Sequence, residues 1–210
     1  MSAGSIVALA GLVALVAGLA LYERGRAGSR EIGLVAVLIA AASAGRVLFV
    51  AVPGAQPVTA IAIIAGVALG PRAGIAVGAG SALVSNAFLG QGPWTPWQML
   101  LWGLAGLAGG LLAPALRRSR WALVGLGVAL SLVFGTLMDV WQLATFGPAL
   151  TLTAFAAVHV RALPFDLAHA IATAAILGLA GPSLIGLVDR SAVRVRGRWS
   201  TAPVTGEPRP

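Results

Sequence analysis

Between Arg72 and Arg117 the chain runs for 44 residues without an ionisable side chain, and this run constrains the fold more than any other feature. A transmembrane helix needs about 20 apolar residues at ~1.5 Å each, so the run is long enough for two spans. At its centre stands the segment 91–98, Gln-Gly-Pro-Trp-Thr-Pro-Trp-Gln. Its prolines cannot continue a helix, and its tryptophans and glutamines suit a membrane–water boundary. The run therefore predicts a helical hairpin with a stiff, polar and aromatic tip, and this tip is the first place to look for function.

The composition indicates a membrane protein, because 59% of the residues are hydrophobic, 10% are charged and the mean hydropathy is +0.95. The apolar segments are continuous rather than alternating, which favours an all-α, polytopic helical bundle over a β-barrel. The net charge of +8 comes from 14 arginines without a lysine. These arginines stand in short segments between the apolar runs, as topology signals do, so no nucleic-acid partner is predicted.

Seven membrane spans are predicted, at 5–22, 32–52, 57–70, 72–89, 96–116, 121–145 and 164–188. If they alternate, four arginine clusters fall on one side and only Arg161 falls on the other. Positive residues mark the cytoplasmic side, which predicts an outer N-terminus and an inner C-terminus. Span 57–70 covers only about 21 Å of a ~30 Å hydrocarbon core, so the sequence leaves open whether it crosses fully.

The predicted organisation has three parts. Residues 1–30 hold an additional N-terminal helix and a basic loop, residues 31–190 form a six-helix core, and residues 191–210 form a basic, disordered cytoplasmic tail. Residues 146–163 are predicted to be an outer loop, bounded by prolines at its margins.

Polar side chains within the spans are rare, and counting residues along each span places them at similar heights. Arg46 and Asn86 both lie about 21 Å above the cytoplasmic ends of their helices, and Asp139 lies about 27 Å up. We interpret this convergence as an outward-facing polar pocket, covered by residues 91–97 and by the loop 146–163. The alternative is a set of unrelated residues in the interfacial zone. Asp139 is also a possible counter-charge for Arg46.

Asp166 and His169 share a helix face, and a catalytic or metal-binding pair is one interpretation. One carboxylate and one imidazole are too few ligands for zinc, and no serine or cysteine nucleophile motif lies nearby. A helix N-terminal aspartate beside an interfacial histidine explains the pair better. We therefore predict no metal site, no cofactor and no catalytic residues.

Aromatic and amide side chains crowd the outer level of the bundle, where a planar heterocyclic ligand would stack and accept hydrogen bonds. An aromatic belt at the membrane interface explains the tryptophans almost as well. The predicted ligand-binding residues are Arg46, Asn86, Gln91, Trp94, Trp97, Gln98, Trp102, Asp139, Trp141, Gln142 and His169.

Two stripes of small residues permit close helix packing. Gly74, Gly78 and Ala82 recur every four residues and are interpreted as an internal packing surface. Ala36, Ala40 and Ala44 do the same on the second span and form a smooth ridge.

This alanine ridge, the proline-bounded short helix after it, the hairpin tip at 90–99 with Asn86, and the basic cytoplasmic turn resemble the substrate-binding S component of energy-coupling-factor (ECF) vitamin transporters. The resemblance covers about residues 30–190. It implies a six-helix cup in the bacterial cytoplasmic membrane whose outer loops close over a vitamin. It also implies that Ala36, Ala40 and Ala44 dock on a transmembrane coupling subunit that two ATPases drive, and that the S component itself is not an enzyme. Span 5–22 is then an addition to the family core, and the hairpin motif favours cobalamin or a related corrinoid as the ligand.

Two other functions are considered. A non-catalytic scaffold similar to the MreD-type proteins of cell-wall complexes would bind no ligand. An intramembrane enzyme would use Asp139, Asp166 and His169, but no complete catalytic set of residues is present.

Overall fold

A computed structural model describes residues 29–147 and 149–197, so the predicted span 5–22 and residues 198–210 lie outside the described part of the chain. The described residues form eight helices and no strand. These are α1 (Ser29–Leu48), α2 (Val58–Leu69), α3 (Pro71–Leu89), α4 (Thr95–Leu111), α5 (Ala113–Arg118), α6 (Arg120–Phe146), α7 (Leu152–Leu179) and α8 (Gly181–Gly197).

The short helix α2 is the centre of the bundle. It contacts all seven other described helices, and nine of its twelve residues are buried. Twelve residues extend only about 18 Å, which is too short for a lipid-exposed span. Because protein rather than lipid surrounds α2, it does not need to match the membrane thickness.

Helices α3 and α4 make the most extensive helix pair in the bundle. Gly74 and Gly78 on α3 are buried against the backbone of Gly106 and Trp102 on α4, and a Cβ atom at either glycine would overlap that backbone. The interpretation of the glycine stripe as an internal packing surface is therefore confirmed. The sharp turn between α2 and α3 also needs a glycine, since Gly70 has a φ of 98°.

The described bundle has two chemically different ends. At what we call the basic end, Arg117 bridges the last turn of α2 and helix α8: its guanidinium donates to the Val67 carbonyl at 2.8 Å and pairs with Asp189 at 2.6 Å. The hydrogen bond to Asp189 raises the pKa of Arg117. Arg118 and Arg120 lie exposed beside it. At the opposite end, which we call the cavity end, α1, α3 and α6 finish and α2, α4 and α7 begin.

Three helices in the described residues are long and apolar enough to cross a membrane: Glu31–Leu48, Arg120–Phe146 and Leu152–Leu179. Large hydrophobic side chains are exposed along them, such as Val37, Val133 and Ile171. An exposed apolar surface of this kind is stable only in lipid. The prediction of an all-α membrane bundle is confirmed.

The prediction of an outer loop at 146–163 is wrong. Helix α7 begins at Leu152 and continues through Pro164, leaving only a short connection after α6. Proline has no backbone N–H, so it fits best in the first turn of a helix, where that donor is not needed. Membrane helices nevertheless tolerate proline in their interior. The predicted span 164–188 is also broken, since α7 ends at Leu179 and α8 starts with Gly181-Pro182. Helix α8 extends to Gly197, so the first residues of the predicted tail 191–210 are helical.

Candidate ligand-binding site

Arg46, near the end of α1, is held by side chains from α3. Its Nη1 atom donates to Ser85 Oγ at 2.7 Å and to Asn86 Oδ1 at 2.6 Å. Its guanidinium carbon also lies 4.9 Å from the centre of a Trp102 ring, a favourable cation–π distance. Arg46 is therefore held by partners inside the protein, and no ion pair with Asp139, the possible counter-charge, is observed.

Asn86 connects this arginine to the hairpin tip. Its amide nitrogen donates to Thr95 Oγ1 and to Gln98 Oε1, each at 2.9 Å. Thr95 in turn donates to Gln91 Oε1 at 2.9 Å. We call Arg46, Ser85, Asn86, Thr95 and Gln98 the arginine network. It fixes the tip of the α3–α4 hairpin to the end of α1.

The predicted tryptophans have structural partners. Trp102 is fully buried, stacks on Phe134 with ring centres 4.7 Å apart and donates to Thr59 Oγ1 at 3.0 Å. Trp97 donates to the Leu137 carbonyl at 3.1 Å, which joins the hairpin tip to α6. Trp141 is buried and packs edge-on against Phe146.

A cavity of about 640 Å³ opens between α6, α7 and the segment that joins α1 to α2. Its wall combines aromatic, apolar, amide and charged side chains, which is typical of sites for small organic ligands. The lining residues are Gly54, Gln56, Phe134, Gly135, Met138, Asp139, Gln142, Ala157, Val158, Arg161, Ala162, Phe165, Asp166 and His169.

Helix α7 comes very close to the α1–α2 segment at Gly54, in the wall of the cavity. This glycine has a φ of 80°, and a Cβ atom there would collide with the backbone of Phe165 on α7. A second cavity of about 130 Å³ shares Gly54 and Gln56 with the large one and is also lined by Arg46. From the α1–α2 segment, Gly54 and Gln56 line the large cavity. Of the two predicted covering segments, residues 91–97 do not line it, whereas 146–163 contributes Ala157, Val158, Arg161 and Ala162, as part of helix α7.

Two carboxylates and a histidine meet in the wall of the large cavity. Asp139 on α6 and His159 on α7 are joined by a 2.7 Å contact between Oδ2 and Nδ1. The same Nδ1 atom lies 4.0 Å from Oδ2 of Asp166, which is two helical turns further along α7. Asp139 and Asp166 are both buried.

His169 belongs to a different chain of contacts. Its Nε2 atom lies 2.8 Å from Thr59 Oγ1, the hydroxyl that also accepts from Trp102. Its ring meets Phe134 edge-on, with ring centres 5.3 Å apart. The aromatic floor of the cavity is thus fixed by a buried hydroxyl at the start of α2.

Of the predicted ligand-binding residues, Asp139, Gln142 and His169 line the large cavity and Arg46 lines the small one. The others lie outside the lining of both: Asn86, Gln91, Trp94, Trp97, Gln98, Trp102 and Trp141.

The sequence analysis missed His159, Gln56 and Phe165. His159 and Arg161 were assigned to a loop, so their position on the helix that carries Asp166 was not recognised. The seven-residue spacing between His159 and Asp166, two helical turns, was the available signal.

A helical membrane bundle with a polar, aromatic-walled cavity at the end opposite Arg117, Arg118 and Arg120 is typical of proteins that bind small molecules within the membrane. A family model described as "ECF-type riboflavin transporter, S component" matches residues 26–181, about three quarters of the chain. The chain belongs to this family of ECF transporter S components. No curated protein and no solved structure gives a significant match.

Proposed function

We propose that this chain is the substrate-capture subunit of an ECF-type importer and that it binds a flavin-type vitamin in the 640 Å³ cavity. The observation that carries the proposal is the cavity itself, in a chain whose family consists of vitamin-transporter S components.

The size and chemistry of the cavity support riboflavin as the first candidate. Its volume lies in the range of about 300–1,000 Å³ that is typical of sites for drug-sized ligands. Phe134 and Phe165 offer flat apolar surface for a tricyclic ring, and the amides of Gln56 and Gln142 offer hydrogen bonds to ring and hydroxyl groups. Cobalamin, the candidate from the sequence, is several times larger than a flavin and fits this volume less well.

The proposed orientation follows from the two ends of the bundle. The basic end, with Arg117, Arg118 and Arg120, faces the cytoplasm under the positive-inside rule, so the cavity end faces outward. A vitamin would then enter from outside, as uptake requires. The described part of the chain then starts at Ser29 on the cytoplasmic side, and an outer N-terminus depends on the predicted span 5–22, which lies outside the described residues.

The proposed contact with the transporter is the alanine ridge. Ala36, Ala40 and Ala44 are all exposed on α1, and none of them takes part in the packing of the described bundle. Small side chains let another membrane helix approach closely. We propose that this ridge docks on the coupling subunit, which is energised by two ATPases.

Direct binding of riboflavin to the purified full-length chain tests the proposal. Flavin fluorescence is quenched when the ring stacks on aromatic side chains, so titration should give saturable quenching with one ligand per chain. Met138→Trp places a large ring in the cavity and should abolish quenching. Val133→Trp, on the exposed face of the same helix, is the matched control and should bind normally.

Competition with cobalamin decides between the two vitamins, since displacement of riboflavin only by flavin analogues supports the proposed ligand. Mass spectrometry of molecules that co-purify with the chain is an independent measurement. Saturable binding of neither vitamin, with no co-purified ligand, would favour the MreD-like scaffold instead.

A further inference from the structure

Asp139, His159 and Asp166 bring three potential metal-ligand atoms close together, although only one pair of them is in hydrogen-bond contact. One ligand atom from each residue can be chosen so that all three lie within 4.8 Å of one another. The imidazole makes a short contact to Asp139, at 2.7 Å, but it reaches Asp166 only at 4.0 Å.

Asp166 is the unsatisfied member of this cluster. It is 8% exposed, it lines the large cavity, and its Oδ2 atom is buried without a hydrogen-bond partner. A carboxylate within a membrane span is costly unless it is paired, and a second carboxylate nearby raises that cost. Arg161 lines the same cavity, but within residues 29–147 and 149–197 no ion pair joins it to either carboxylate. A cation bound between the two carboxylates would relieve this cost.

We propose that Asp139, His159 and Asp166 form a binding site for a divalent transition-metal ion in the wall of the cavity. One imidazole nitrogen with two carboxylate oxygens suits Mn²⁺, Fe²⁺, Co²⁺ or Zn²⁺, whereas Mg²⁺ and Ca²⁺ prefer oxygen ligands alone. Such ions bind at about 2.0–2.2 Å, which places their ligand atoms roughly 3–3.5 Å from one another. The 2.7 Å contact between His159 and Asp139 would therefore open slightly, and the 4.0 Å distance from His159 to Asp166 would shorten.

Neighbouring residues prepare this arrangement. Gly135 lies one turn before Asp139 on α6, and a Cβ atom there would occupy the position of the Asp166 carboxylate. Phe155 stacks on the His159 ring at 5.4 Å between centres and fixes its orientation. Residues that support a ligand in this way are a regular part of protein metal sites.

The metal would replace the proton that His159 Nδ1 shares with Asp139, and that proton would leave to solvent. Coordination positions that the protein does not fill would be taken by water or by an oxygen atom of a ligand in the cavity. The inference does not depend on which vitamin the cavity binds.

A cobalt titration of the full-length chain tests the site. The protein is purified in detergent without a polyhistidine tag and stripped of metal, and the visible absorption of bound Co²⁺ is followed. We expect saturation at one ion per chain, displacement by Zn²⁺, and proton release seen as buffer-dependent heat in calorimetry.

Two variants and one control locate the ion. Asp166→Asn keeps the shape of the side chain, and we expect it to weaken binding at least tenfold. His159→Ala should abolish the cobalt absorption. Asp189→Asn, a carboxylate change at the basic end, should leave the titration unchanged.

Wild-type thermal unfolding keeps the test valid if a variant fails to fold, because a bound ion must raise the melting temperature as its concentration rises. No saturable cobalt binding and no such rise would overturn the proposal. Equal affinity in wild type and Asp166→Asn would overturn it as well.

Discussion

The arginine network allows a quantitative prediction at Asn86. This side chain is 1% exposed and makes three hydrogen bonds: it accepts from Arg46 at 2.6 Å and donates to Thr95 and Gln98 at 2.9 Å. In membrane proteins a side-chain hydrogen bond contributes about 0.6 kcal/mol on average and up to about 1.7 kcal/mol. Three such bonds, one of them to a charged group, give a loss of about 2–4 kcal/mol in the free energy of unfolding for Asn86→Ala.

A chain of this length loses about 2–4 °C in melting temperature per kcal/mol, so Asn86→Ala should melt about 4–16 °C below wild type. Tryptophan fluorescence in detergent is a suitable measurement, because Trp102 is buried beside the network. Gln91→Ala is the matched control, since exposed Gln91 exchanges its hydrogen bonds for water and should cost less than about 1 kcal/mol. Asn86→Asp should fall between them, because it retains the contact to Arg46 and loses the two donated bonds. Equal melting temperatures for Asn86→Ala and Gln91→Ala would refute the reasoning.

Two further predictions concern the partner surface and the metal site. Ala40→Trp should abolish vitamin uptake in cells, while the purified variant still binds its ligand. Ile171→Trp introduces the same side chain on another exposed face and should leave uptake intact. Loss of ligand binding by Ala40→Trp would instead show that the alanine ridge packs inside the protein. Gly135→Ala should displace the Asp166 carboxylate and lower the cobalt affinity at least tenfold. Gly125→Ala on the same helix should not, because a Cβ atom there meets nothing within 4 Å. Equal cobalt titrations for the two variants would show that Gly135 does not position Asp166.

Counting residues along the helices predicted which polar groups share a height, and the structure confirms this for Arg46 and Asn86, whose side chains are 2.6 Å apart. The same method did not predict partners, because height gives no information about the direction in which a side chain points around its helix. Asp139 was considered as a possible counter-charge for Arg46, but it lies on the side of α6 that faces His159.

The beginning of α7 was not predictable from local signals. Pro164 was interpreted as a helix start, whereas the structure has it in the helix interior, with His159 on the turn before it. Threonines and alanines at 151–157 are poor indicators of a membrane span, yet in the structure the helix that packs against α6 begins at Leu152 and includes this mostly exposed segment. One wrong boundary therefore removed His159 from the candidate site.

The two polar clusters at the cavity end differ in whether their buried polar atoms have hydrogen-bond partners. In the arginine network no buried side-chain donor or acceptor of the described residues lacks a hydrogen-bond partner, and the network holds three helices together. In the cavity wall a buried carboxylate oxygen of Asp166 has no hydrogen bond. An ionisable group without a partner in a membrane span lowers stability, and a protein with only a structural role has no reason to keep it. The cluster at the hairpin tip, where the sequence directed attention first, thus has structural partners, and the binding site that we propose lies with the carboxylates of α6 and α7.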